Sequence, residues 1–94
     1  MDFSPSLSSR ALAFFETLSE IIPPRSVSDR TCFRRIAEWL KAEVRRGRFE
    51  EEEIFEHVLL YAREASMGAA RNPAAVFLSI LKKELHYDPA KAQR

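Results

Sequence analysis

Glycine is scarce in this chain, with two among 94 residues, and proline is limited to five. An all-β domain with many tight turns needs more of both, so a helical fold is expected. There is a single cysteine, Cys32, which excludes an internal disulfide and suits a reducing, cytoplasmic compartment. No apolar run approaches the roughly 20 residues of a membrane span. The opening "MDFSPSLSSR" lacks the basic-then-apolar pattern of a secretion signal. Also missing are a glycine-rich phosphate loop and any metal-ligand spacing around His57 or His86, so neither enzyme, cofactor, metal site nor small-molecule substrate is expected. Glu53 and His57, four apart, read as a solvated surface pair. Cys32 reads as a small core thiol, and Glu50 to Glu53 lack the interleaved Asp, Asn and Gly of a calcium loop.

What is present is 46% hydrophobic and 31% charged residues, the balance of a soluble globular domain. The length suits one domain over residues 1–94, either a whole protein or a piece excised from a longer one. Charge is nearly neutral in sum, at +1, but unevenly spread. From Arg25 to Arg48 eight cations stand against three carboxylates, a balance of +5. From Phe49 to Ser66 one cation stands against six carboxylates, a balance of −5.

Apolar residues recur at helical spacing in four segments, which predicts an all-α, compact four-helix domain with helices near 7–22, 29–46, 50–66 and 73–87. The first carries Leu7, Ala11, Phe14, Phe15, Leu18, Ile21 and Ile22 on one face and stops at Pro23-Pro24. In the second, Ser26 or Ser28 is the N-cap, Phe33, Ile36, Ala37, Leu40 and Val44 form the stripe, and Gly47 ends it. Four acids, Glu50 to Glu53, open the third at the positive end of its macrodipole. Its wide apolar arc predicts a central position. Asn72 caps the fourth, with Pro73 at its first position, and residues 90–94 are expected to fray.

On a wheel turning about 100° per residue, Arg30, Arg34, Lys41 and Arg45 of the second helix fall within about 60°. Arg48 joins them if the helix extends that far, and Glu38 interrupts the margin. Such a stripe can follow a phosphate backbone, which makes DNA or RNA a candidate partner. Alternatively, these cations pair with the acidic third helix or are simply solvated; these arrangements are all open. Arg71, Lys82 and Lys83 form a second candidate cluster. The "VRRGRFEEEE" turn resembles that of a helix-turn-helix, but the third helix would bring four carboxylates toward phosphates. The hairpin through "SMGAARN" is the better candidate pair. The alternative is a protein-interaction or dimerisation module without a nucleic-acid role. Trp39, off the apolar stripe, serves as a stacking platform or an interface anchor, or covers the core edge against the first helix. Val76 and Ile80 lie on a second apolar strip of the fourth helix, which either packs on the first helix or meets a partner or a second copy.

The segment "RNPAAVFLSILKKEL", about fifteen residues, resembles an element of bacterial plasmid and phage replication initiator and replisome-organiser proteins. There an Asn-Pro or Ser-Pro step leads through small residues and an aromatic to a Leu-Lys or Leu-Arg ending. Where that element often shows Gly-Tyr, this chain has Ala75, Val76 and Phe77. The resemblance implies a DNA-replication or DNA-binding context and transfers no catalytic residue. The expected function is a non-enzymatic accessory domain binding nucleic acid weakly and without sequence preference.

Overall fold

A computed structural model describes residues 9–68 and 71–88, in which four helices follow one another: α1 Ser9–Ile21, α2 Val27–Arg45, α3 Glu51–Met67 and α4 Pro73–Leu85. The starts of α2, α3 and α4 each have a local chemical cause. The Ser26 hydroxyl accepts from the Asp29 amide at 3.2 Å, so α2 begins two residues earlier than the periodicity suggests. Glu50 and Asn72 likewise accept from the amides of Glu53 and Ala75, at 3.1 and 3.2 Å. Gly47, at φ +81°, ends α2 in a Schellman motif. There the Arg48 amide donates to the Glu43 carbonyl and the Gly47 amide to that of Val44, both at 3.0 Å.

Two expected ends differ. α4 stops at Leu85 because His86 takes a left-handed conformation, φ 58°. Tyr87 thereby leaves the helix and turns its ring onto Trp39, 4.9 Å between centroids. Helix α2 stops before Arg48, which is therefore not part of its stripe. The expected start at residue 7, with Leu7, and the tail 90–94 lie outside the described residues.

Helix α3 packs against each of the other three, as its wide apolar arc predicts. Phe14 of α1 stacks on Phe55 of α3, centroids 4.9 Å apart, and Phe33 of α2 meets Phe77 of α4 edge-on at 6.3 Å. Leu18, Ile36, Leu40, Val58 and Leu81 complete the fully buried centre. The chain forms two hairpins, α1–α2 and α3–α4, joined chiefly through α3. Helix α4 runs along α3, and the α1 contact expected for its second apolar strip is not a principal one. Among the described residues, no helix is long and apolar enough to cross a membrane.

Candidate nucleic-acid interface

Because Phe33, Ile36, Ala37 and Leu40 must face the core, the remaining circumference of α2 is turned outward, and the basic stripe lies beside the apolar face. Around that circumference Arg30, Arg34, Arg35, Arg45 and Arg46 are exposed and Lys41 is half-buried, with Glu38 the carboxylate among them. Arg30 holds its guanidinium over the Phe15 ring, 5.8 Å from the centroid, at the edge between α1 and α2. Arg34 reaches Glu38 at 3.6 Å across one turn, an exposed pair that locks neither group strongly.

The acidic start of α3 faces the other way. Arg10 of α1 pairs with Glu51 at 3.7 Å and Glu52 at 3.2 Å. Glu50, Glu52, Glu53 and Glu56 line one wall of an open groove of about 500 Å³ between α3 and α1. Ala13 and Thr17 of α1 form the opposite wall, over Phe14, Phe55 and Leu59. Among the described residues, Glu51 and Glu52 thus make their ion pairs with Arg10 of α1. The groove has one sequence signal, the small residues Ala13 and Thr17 four apart beside Phe14.

The local −1 of Glu43 does not reach the surface either. Its carboxylate, 3% exposed, accepts from Arg46 Nη1 at 3.1 Å and Arg48 Nη1 at 2.9 Å. Those arginines are largely solvent-facing, and Arg48 also lies over the Phe49 ring at 5.1 Å. The sequence reading missed this clamp, since a glutamate near a helix end is ordinarily solvated. The signal was its place beside Ile36 and Leu40 on the wheel.

The second basic cluster divides. Lys82 and Lys83 are exposed in the last turn of α4, and the charge of Lys82 acts on Cys32 of α2 together with that of Arg35. Arg35 and Lys82 thus extend the basic surface from α2 toward α4. Arg71 is exposed at the other end of α4, where Asn72 is engaged in capping. Burial raises the Cys32 thiol above its usual range, Asp29 adds to the rise, and Arg35 and Lys82 oppose it. A thiol held protonated in this way is a poor nucleophile. Burial, with Cys32 next in effect, pushes the Tyr87 phenol up to about 12.

The candidate interaction residues are part of the packing. Trp39 is half-buried at the core edge, where it meets Phe49 and Tyr87. Val76 and Ile80 are half-buried against the core cluster. His57 and His86 are exposed, and among the described residues no group of three or more His, Cys, Asp or Glu is arranged to hold a metal ion. Comparisons with protein-family models, curated proteins and solved structures find no match for the chain.

Proposed function

We propose that the domain is a non-enzymatic accessory module that binds nucleic acid through the outward face of α2, weakly and without sequence preference. One observation carries the proposal: Arg30, Arg34 and Arg45, with half-buried Lys41, lie along one side of α2, while Glu51 and Glu52 at the start of α3 pair with Arg10 of α1. Arg30, Arg34, Lys41 and Arg45 span sixteen residues, about 22 Å along the helix axis. That length covers several phosphates of one strand, which are spaced about 3.4 Å apart along B-form DNA. Arg35 and Lys82 widen the surface on one flank. The likeness of residues 71–85 to replication initiators and replisome organisers supports a bacterial DNA-transaction setting of the replication type.

Fluorescence anisotropy with labelled single- and double-stranded oligonucleotides tests this directly. Four phosphate contacts give a log–log salt slope of roughly −3 to −4, with micromolar or weaker affinity at physiological salt. The double reversal Arg34→Glu, Arg45→Glu is expected to remove binding while leaving helicity intact, because both side chains are exposed. Absence of binding by the parent protein at low salt refutes the proposal. Binding unchanged by the double reversal moves the site to Arg71, Lys82 and Lys83.

A further inference from the structure

We infer that the groove between α1 and α3 receives the outward face of α2 from a second copy of this chain, giving a head-to-tail association. The two surfaces are opposite in charge and similar in pitch. Glu50, Glu52, Glu53 and Glu56 line the groove, with Arg10 the cation among its lining residues. The α2 face presents Arg30, Arg34, Arg35, Lys41, Arg45 and Arg46 around Glu38. Glu52 and Glu56 are four residues apart, as are Arg30 and Arg34, and Lys41 and Arg45, each step about 6 Å along a helix axis. Two such helices laid side by side bring opposite charges together on successive turns.

The groove floor also suits arginine more than lysine. Phe14 and Phe55 are stacked beneath it and almost wholly buried, so the stem of an arginine would meet Ala13, Thr17 and Leu59 while its guanidinium pairs in fork geometry with the carboxylates of the wall. No α2 residue lines the groove, so its outward face and the groove belong to different sides of one molecule. The contact joins unlike patches, which makes it heterologous and open to further addition. It needs only the charge pattern and stands apart from the nucleic-acid proposal. If both hold, nucleic acid and a second copy compete for the α2 face.

Sedimentation equilibrium of the full chain, at about 20 mM and about 300 mM salt, tests the inference. At low salt the average mass is expected to rise with concentration above the 10.9 kDa monomer, and to return to it at high salt. Two variants, Glu53→Arg with Glu56→Arg, and Arg34→Glu with Arg45→Glu, are each expected to self-associate at least about tenfold more weakly. Mixing them is expected to restore association, since the intact face of one meets the intact groove of the other. Circular dichroism checks folding; should the first variant lose helicity, Glu56→Arg alone, beyond the first turn of α3, takes its place. A monomeric parent at low salt overturns the inference, as does self-association surviving in both variants, or a mixture that stays monomeric while the parent associates. Oligonucleotide anisotropy on the Glu53, Glu56 variant keeps the two proposals separable, because its α2 face is unaltered. Loss of parent binding to oligonucleotides with association retained refutes only the nucleic-acid proposal.

Discussion

Helices α2 and α3 both carry runs of like charge, yet the two runs occupy different positions relative to their helices. The carboxylates of α3 are concentrated at its N-cap and first turn, where they meet the positive end of the macrodipole, cap an amide and pair with Arg10. The cations of α2 are distributed along its whole length, and only Arg45 lies in the last turn, where a positive charge aids the helix. A charge run at the favourable helix end has a structural role that explains it. A run along the length of a helix gains nothing from the macrodipole over most of its positions, and it is there that an external partner adds to the explanation.

The contrast can be broken or sharpened by substitution. The largest effect is expected from the core that both helices share. Phe77→Ala should cost on the order of 3–5 kcal/mol and Leu40→Ala about 2–5 kcal/mol, measured by denaturant unfolding, because both side chains are fully buried. An unmoved midpoint would mean that the two charged surfaces are not held by a common core. Reversing two α2 cations, Arg34→Glu with Arg45→Glu, should cost less, under about 1 kcal/mol, because the Arg34–Glu38 pair is exposed and Arg45 is a single last-turn charge. Reversing two α3 acids, Glu51→Lys with Glu52→Lys, should instead cost about 1–2 kcal/mol through the helix terminus and the Arg10 pairs. Equal costs for the two reversals would erase the distinction.

Alkaline titration examines the junction where α2 meets the chain after α4. Unfolded, Tyr87 ionises near its ordinary value of 10; folded, it holds its proton to about 12. Between those values the unfolded chain gives up the proton first, so stability is complete below about pH 10 and falls as pH rises toward 12. Tyr87→Phe should flatten that part of the profile in thermal melts recorded across the window. The smallest effect concerns Ser19, whose hydroxyl is buried without a hydrogen-bond partner among the described residues. Ser19→Ala is expected to raise stability by up to about 1 kcal/mol, since alanine removes an unsatisfied group and is the better helix former. A loss of stability would reveal a partner for that hydroxyl.

Much of the fold was legible because its causes are local. Apolar periodicity, Ser26 and Asn72 as caps, Pro73 at a first position and Gly47 as a terminator act within about one helical turn. From these the four helices follow, with ends displaced by a few residues. His86 was the exception, since a non-glycine residue in the left-handed conformation carries no obvious mark in the sequence. The basic stripe was legible for the same reason as the apolar one, both being consequences of the helical period.

What the amino-acid sequence determined by itself was therefore the helices, their buried faces and the positions of their charges. The tertiary structure alone decided which charged face meets which neighbour. Whether the acids of α3 lie against α2 or α1 depends on how the helices are rotated and laid together. That arrangement follows from contacts such as Phe14 with Phe55 and Phe33 with Phe77, each between residues more than forty positions apart. Burial of Glu43 with two arginines, the return of Tyr87 onto Trp39 and the groove beside Phe14 are products of the same packing. Helix formation couples residues three or four apart, whereas close packing couples side chains that only the assembled core brings together.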